Sequence, residues 1–169
     1  MFDKLALAAM LMFAAATSEA ATIQWTASLD QAQEVPAPSP VPGAAGSAFG
    51  TIDTDTGLLD WNLSFSGLSG PAIGAHFHGP GAVGVTAPVV VDIGSISGLN
   101  TPTIGFATIS LAAAQQLLDG LFYINIHTTL NPSGEIRGQV APVPLPAALP
   151  LAVLAFAALA GLAARRRRT

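Results

Sequence analysis

Apolar and polar residues alternate with a period of two along most of the chain between positions 21 and 140. The clearest example is the segment 59–66, in which Leu59, Trp61 and Leu63 are separated by polar residues. Since successive side chains of a strand point to opposite faces, each such segment predicts a half-buried β-strand. The other segments with this pattern are 23–29, 47–53, 73–78, 89–93, 103–109, 121–127 and 135–140.

Turn and cap residues divide these predicted strands. The segment 54–57 is predicted to close a hairpin between two of them, and the proline-rich stretch 33–46 is predicted to be a long ordered loop. One helix is predicted over 111–119, because Ser110 can cap its first turn and Gly120 suits its C-terminal end. We therefore expect an all-β fold, an antiparallel Greek-key sandwich or barrel of about seven or eight strands with one short helix.

The two ends of the chain carry most of its excess hydrophobicity. The sequence of 169 residues is 51% hydrophobic, with a mean hydropathy of +0.56, which is high for a soluble domain. Residues 1–20 contain 15 hydrophobic residues and residues 143–169 contain 18. The remaining segment, 21–142, has ordinary globular composition and is long enough for one core. We therefore predict one β domain at 21–142 between two terminal segments.

The first 20 residues have the three parts of a secretory signal peptide. Lys4 and the free amine give a positive start, the segment 5–16 is an apolar run of 12 residues, and small residues flank Glu19 before a cleavage site. A run of this length is too short to cross a bilayer as a helix. We predict a signal peptide at 1–20; the alternative is an uncleaved N-terminal anchor.

The last segment, 143–169, contains a second targeting element. Residues 143–147 read Val-Pro-Leu-Pro-Ala, an apolar helix of 17 residues is predicted at 148–164, and the basic block 165–168 would stay cytoplasmic. This order resembles the VPLPA variant of the PEP-CTERM sorting signals of Gram-negative bacteria. The resemblance implies a transmembrane helix that holds the protein before processing, an exosortase-type sorting peptidase as partner, and delivery to the cell surface or extracellular matrix. The alternative is a permanent C-terminal anchor.

Charge excludes one class of function, and the absence of cysteine limits how the domain can be stabilised. Residues 21–142 contain eight carboxylates and one cationic side chain, that of Arg137, so the net charge of this segment is about −7. Such a domain has no basic patch, so nucleic-acid binding is excluded. The chain contains no cysteine, although export would bring it into an oxidising compartment. We therefore expect stability to come from the core or from a bound metal.

The three histidines are candidate metal ligands. His76 and His78 are two apart on a predicted strand, so they share a face, opposite Ile73 and Phe77, which are expected in the core. If the strand of His127 lies beside theirs, three imidazoles converge. Three neutral imidazoles with an open position suit copper or zinc. The alternative is that these side chains hydrogen-bond backbone and loop groups and fix strand ends.

The residues around the histidines resemble a known family. The segments 75–80 (Ala-His-Phe-His-Gly-Pro), 123–128 (Tyr-Ile-Asn-Ile-His-Thr) and 134–140 (Gly-Glu-Ile-Arg-Gly-Gln-Val), with 27–36 and 88–92, are similar to the CHRD domain, named after chordin. The resemblance covers about 120 residues and implies an extracellular β domain in which the family motifs contain all three histidines. A weaker resemblance to copper/zinc superoxide dismutases does not support dismutase activity, because further histidines and the disulfide are missing.

Three other polar groups are weaker candidates. Glu135 and Arg137 share a strand face, and we expect Arg137 to brace the last strand through a bidentate pair with a carboxylate. The segment 53–57 is similar to the start of a calcium loop, but a hairpin turn is the preferred interpretation. Asp92 is a candidate to orient a nearby histidine. No catalytic or cofactor-binding residue is predicted.

The predicted function is therefore non-enzymatic. We expect an exported, surface-sorted domain that acts as a binding or structural component of the cell envelope or extracellular matrix, with an extracellular partner that the sequence does not name. The alternative is a copper- or zinc-binding protein, with a small oxidoreductase as one form of it, whose ligands are His76, His78 and His127.

Overall fold

The computed structural model describes residues 22–143, which form one antiparallel β structure with two short helices. The elements in chain order are β1 (Thr22–Asp30), β2 (Ala45–Asp53), β3 (Leu58–Ser66), β4 (Ala72–His78), β5 (Val89–Asp92), α1 (Ile93–Ser97), β6 (Thr103–Thr108), α2 (Leu111–Leu118), β7 (Tyr123–Thr128), β8 (Ile136–Gln139) and β9 (Ala141–Pro142).

Eight of these strands form a nearly closed barrel. Their order is β5-β4-β7-β8-β1-β2-β3-β6, and the two-residue β9 pairs with β1. β7 does not pair with β6, which precedes it in the chain, but crosses over to pair with β4. This crossover is typical of a Greek key. The barrel is open between β5 and β6, where α1 contacts both β4 and β6. The predicted all-β antiparallel fold is thus confirmed. Of the two predicted forms, a sandwich or a barrel, the structure is the barrel.

The inward-facing side chains of these strands form one core. On β3 the predicted alternation is confirmed, since Leu59, Trp61 and Leu63 are all buried. Phe77 of β4 packs edge-on against Trp61 and against Trp25 of β1, with ring centroids 5.7 and 5.5 Å apart. Each large side chain buried in this way contributes about 1.5–3 kcal/mol to folding. The core therefore fixes which face of β4 points outward.

The predicted hairpin between β2 and β3 is also confirmed. The two strands pair from Ala45↔Ser66 to Ile52↔Leu59. Their turn is held by the Asp53 carboxylate, which accepts hydrogen bonds from the backbone N–H groups of Asp55 and Thr56. These hydrogen bonds lower the pKa of Asp53. The carboxylate serves the turn, as the preferred interpretation of this segment requires.

The prediction for Ile73 was wrong, whereas the predicted helix is present and a second helix was not predicted. Ile73 is 54% exposed and does not face the core, because the β4–β7 register shifts between Ala72 and Gly74. The predicted single helix corresponds to α2, which Ser110 caps as expected. α1 was not predicted; Asp92 caps it by accepting a hydrogen bond from the Ser95 N–H.

The predicted terminal segments lie outside the described residues. This applies to the signal peptide at 1–20 and to nearly all of 143–169, including the transmembrane helix and the arginine block. Within residues 22–143, neither helix is long and apolar enough to cross a membrane.

Candidate metal centre

The three histidines meet on the outer face of two neighbouring strands. His76 and His78 flank the buried Phe77 on β4, so their side chains point away from the core. His127 lies on β7, across from Gly74 in the β4–β7 ladder. One ring nitrogen from each histidine lies within 4.8 Å of the corresponding nitrogens of the other two. The pairing of the two strands, on which the predicted convergence depended, is present.

The absence of a side chain at Gly74 leaves room for this cluster. A Cβ atom at Gly74 would lie 3.1 Å from His76 Cε1 and 3.3 Å from His127 Cδ2. Contacts this short are closer than ordinary carbon–carbon packing distances. A residue with a side chain at this position would therefore displace one of the two rings.

Backbone carbonyl groups fix the tautomers of two of the rings. The Nδ1 atom of His78 lies 2.9 Å from the carbonyl oxygen of Ala87, and the Nδ1 atom of His127 lies 3.0 Å from that of Pro132. A carbonyl oxygen only accepts hydrogen bonds, so each neutral ring carries its proton on Nδ1. The lone pair of each ring is then on Nε2. For His78 this Nε2 atom is buried and has no hydrogen-bond partner.

The third ring bridges the cluster and a carboxylate. His76 Nδ1 lies 3.1 Å from His127 Nε2, which is the unprotonated nitrogen of that ring. The other nitrogen of His76, Nε2, lies 3.9 Å from the Asp92 carboxylate. Asp92 also accepts a 2.6 Å hydrogen bond from the Ser95 hydroxyl, which holds the carboxylate in place. The predicted neighbourhood of Asp92 and a histidine is therefore observed, with His76 as the histidine.

Burial keeps two of the imidazoles neutral. It lowers the pKa of His78 and of His127, and the mutual repulsion of the charged rings lowers both values further. The hydrogen bonds from Nδ1 to the carbonyls of Ala87 and Pro132 act in the opposite direction but are outweighed. Both rings are thus neutral at neutral pH, as metal coordination requires. The Nε2 lone pair of His78 has no partner, whereas that of His127 accepts the hydrogen bond from His76 Nδ1.

The spacing of the ring nitrogens is compatible with the ligand geometry of a transition-metal site. Two nitrogens bound to Zn²⁺ at about 2.0–2.1 Å in tetrahedral geometry lie about 3.3 Å apart. The separation of 3.1 Å between His76 Nδ1 and His127 Nε2 is close to this value. A metal-ligating histidine commonly donates its second N–H group to a carbonyl or carboxylate, and all three rings here face such an acceptor.

A stack of planar groups lies behind His78. Its ring is parallel to that of Tyr123, with an interplanar angle of 2° and centroids 4.9 Å apart. The Cζ atom of Arg137 lies 3.5 Å from the centroid of the same tyrosine ring, in a cation–π contact. The Tyr123 hydroxyl accepts a 2.9 Å hydrogen bond from the backbone N–H of Ala87. The loop that carries Ala87 is therefore attached to this stack.

The predicted pairing of Arg137 with a carboxylate was wrong. Arg137 is 1% exposed, and its Nη2 atom donates to the carbonyl oxygens of Ala82 and Val85, 3.2 and 3.0 Å away. No ion pair of Arg137 occurs in the described part of the chain. Glu135, two residues before it in the sequence, already accepts hydrogen bonds from several other groups. The arginine instead braces the loop that precedes β5.

Glu135 holds three segments of the chain together. Its carboxylate accepts hydrogen bonds from the N–H and hydroxyl of Ser69, from the hydroxyl of Thr128 and from the amide of Asn131. Burial by itself would raise the pKa of Glu135, but these hydrogen bonds outweigh it and lower the pKa. Asn131 and Thr128 belong to the segment that also carries Pro132. The Glu135 network therefore supports the loop that orients His127.

The partners that orient the rings were missed at the sequence level. The acceptors at Ala87 and Pro132 are backbone atoms, which no side-chain pattern marks. Tyr123 carried a signal, since it alternates with Asn125 and His127 on the same strand and thus shares their face. Only the β4–β7 register, which pairs Tyr123 with His78, shows that the two rings stack.

Comparison with known protein families supports the resemblance. Residues 25–140 match the CHRD domain. The chain belongs to the CHRD domain family. No curated protein and no solved structure matches the chain significantly. The CHRD match extends from β1 to the end of β8 and includes His76, His78 and His127 as well as Tyr123 and Arg137.

Proposed function

We propose that this CHRD domain is an exported, non-enzymatic binding component of the cell envelope or extracellular matrix, and that it binds Cu²⁺ or Zn²⁺ through His76, His78 and His127. The observation that carries the metal proposal is the direction of the ring nitrogens. Two rings have their proton held on Nδ1 by a backbone carbonyl, and the Nε2 of His78 is buried without a partner. An unpaired buried acceptor costs about 1–3 kcal/mol, and a metal ion would remove that cost.

The alternative interpretation, a purely structural histidine cluster, accounts for the cluster less well. Hydrogen bonds to Ala87 and Pro132 are consistent with rings that fix loops. A structural role would leave the Nε2 lone pair of His78 without a donor, whereas metal binding uses it. A metal bound to His76 Nδ1 and His127 Nε2 would replace the hydrogen bond between them. The His76 proton would then be on Nε2, which faces the Asp92 carboxylate.

Metal analysis tests this part of the proposal. The full-length chain, purified without a histidine tag, is incubated with Cu²⁺ or Zn²⁺, dialysed and analysed for metal. We expect about one ion per chain, and a loss of nearly all of it in His78→Ala. The control is Asp55→Asn, which removes an exposed carboxylate far from the histidines in sequence and should keep the ion. Equal and negligible metal in wild type and His78→Ala would contradict the proposal.

The proposed location rests on the two terminal segments of the sequence. We expect cleavage of the segment 1–20 on export and processing within 143–169 by an exosortase-type peptidase. Lys4 is the only lysine of the sequence and lies in the segment that we expect to be cleaved, so surface labelling must target carboxylates or the new N-terminus. A membrane-impermeant carboxylate label on intact cells should modify the protein, and mass spectrometry should find a C-terminus before Arg165. A wholly intracellular, unlabelled protein would contradict the proposal.

A further inference from the structure

Burial of the Arg137 side chain costs free energy of folding, and its hydrogen bonds do not account for all of its buried N–H groups. It is the only lysine or arginine between residues 22 and 143, and it is 1% exposed. A buried charge destabilises a fold unless it is compensated. Its Nη2 atom has partners, but its Nη1 atom is buried without one. A role in loop bracing alone would not require a charged, planar group.

The strand order places Arg137 and His78 on opposite sides of one tyrosine. β7 lies between β4 and β8, and Tyr123 of β7 pairs with His78 of β4 on one side and with Gln139 of β8 on the other. Imidazole, phenol and guanidinium therefore form one stack. The contacts are a parallel stack at 4.9 Å and a cation–π contact at 3.5 Å. This stack fixes the plane of the His78 ring.

The same two residues also control the acceptor of His78. Arg137 binds the carbonyls of Ala82 and Val85, and the Tyr123 hydroxyl binds the N–H of Ala87. These bonds hold the loop that follows β4. Ala87 is the residue whose carbonyl oxygen accepts the hydrogen bond from the Nδ1–H of His78. Plane and tautomer of one ring thus depend on the same pair of side chains.

We propose that Tyr123 and Arg137 are positioning residues for His78: they direct its Nε2 lone pair into the histidine cluster and so set the affinity and the geometry of the metal site. This inference rests on the proposed metal-binding function. Tyr123 and Arg137 act on His78 alone among the three histidines. His76 contacts the other two rings edge-on, and these contacts do not involve Tyr123.

Cobalt binding separates positioning from stability. Co²⁺ is used as the probe because its visible absorption spectrum reports coordination geometry. In the full-length chain without a histidine tag, Tyr123→Leu removes the stack and the hydroxyl, whereas Tyr123→Phe keeps the ring. We expect Tyr123→Leu and Arg137→Lys to weaken Co²⁺ binding about 10–100-fold, as the loss of a group that orients a metal ligand commonly does, and to alter the spectrum at saturation. Tyr123→Phe should lie closer to wild type.

A core variant provides the matched control for stability. Leu63 is buried on β3, away from the stack, and Leu63→Ala should lower the melting temperature while the Co²⁺ spectrum and affinity stay as in wild type.

If wild type binds Co²⁺ but Tyr123→Leu keeps its affinity and spectrum, the positioning role is wrong and the proposed function stands. If Leu63→Ala shows the same change as Tyr123→Leu, the positioning role is also wrong. Absence of Co²⁺ binding by wild type, together with absence of Cu²⁺ and Zn²⁺ in the metal analysis, would overturn both proposals. Should Arg137→Lys not fold, the comparison of the Leu and Phe variants of Tyr123 decides.

Discussion

Replacement of Glu135 by glutamine should destabilise the domain strongly at neutral pH. The carboxylate is fully buried and accepts four hydrogen bonds. In Glu135→Gln one oxygen becomes an NH₂ group, which can still donate to the hydroxyls of Ser69 and Thr128 once these turn. It cannot accept from the Asn131 amide, so that group loses its bond.

The size of the effect follows from these bonds. A hydrogen bond to a charged group contributes about 1.5–3 kcal/mol, and a neutral one about 0.5–1.5 kcal/mol. In Glu135→Gln one charge-assisted bond is lost and three become neutral, which together cost about 4.5–7.5 kcal/mol. The neutral amide costs less to bury than the ionised carboxylate, by about 2 kcal/mol, so we expect a net loss of about 3–5 kcal/mol. At about 4 °C per kcal/mol for a domain of this size, the melting temperature should fall by roughly 12–20 °C.

The pH dependence gives the sharper test. The pKa of Glu135 is lowered in the folded state, so its ionised form stabilises the fold above the unfolded value of 4.5. This contribution is lost as the pH falls through the folded pKa. The difference in unfolding free energy between wild type and Glu135→Gln should therefore be full at pH 7 and shrink below pH 4.5.

The measurement is denaturant unfolding of both proteins from pH 7 down to pH 3. Asp55→Asn is the control, because it removes the same charge from an exposed carboxylate that lies in the β2–β3 turn. It should change the unfolding free energy by less than about 0.5 kcal/mol. A difference between wild type and Glu135→Gln that stays constant down to pH 3 would refute the assignment of the network to the ionised carboxylate.

Three further predictions concern other residues of the barrel. Burial raises the pKa of Glu34, so its ionised form is disfavoured in the fold; Glu34→Gln, which can pair with the Asn125 amide, should stabilise the protein at pH 7 by about 1 kcal/mol in denaturant unfolding, with less gain at pH 4. Phe77→Ala should cost about 3–5 kcal/mol in the same assay, since the ring is fully buried. Gly57→Ala should lower the melting temperature, because Gly57 has a φ of +73° and a Cβ atom would overlap the carbonyl oxygen of Ile109; an unchanged melting temperature would contradict this.

Strands such as β1 and β3 could be predicted because only one of their faces is buried. The alternation of Leu59, Trp61 and Leu63 specifies a strand and its inward face, and a shift of one residue would expose all three. Turn chemistry added the β2–β3 register, since Asp53 and Gly57 define a tight connection. These are local signals, which a single sequence carries.

The remaining features depend on contacts between distant segments. Ile73 follows the alternation of β4 but is exposed, because the irregular register between Ala72 and Gly74 breaks the period. Arg137 could be expected to find a carboxylate only if one were free. Glu135 is instead saturated by Ser69 and by residues of the loop after β7. Neither fact is visible before the strands are assembled.

The electrostatics of the domain are consistent with capture of a cation by neutral ligands. Three neutral imidazoles do not offset the charge of a divalent ion, and the nearest carboxylate to the cluster, that of Asp92, lies 3.9 Å from the outer nitrogen of His76. The compensating charge must then come from the domain as a whole. Among residues 22–143 the only lysine or arginine is the buried Arg137, so the outer surface carries carboxylates without exposed cations. Such a surface raises the local concentration of cations, and the effect weakens as salt screens it. In the proposed function, surface charge attracts the ion and the ring nitrogens would hold it. Metal association should therefore slow with increasing ionic strength, whereas the occupancy lost in His78→Ala should not return at low salt.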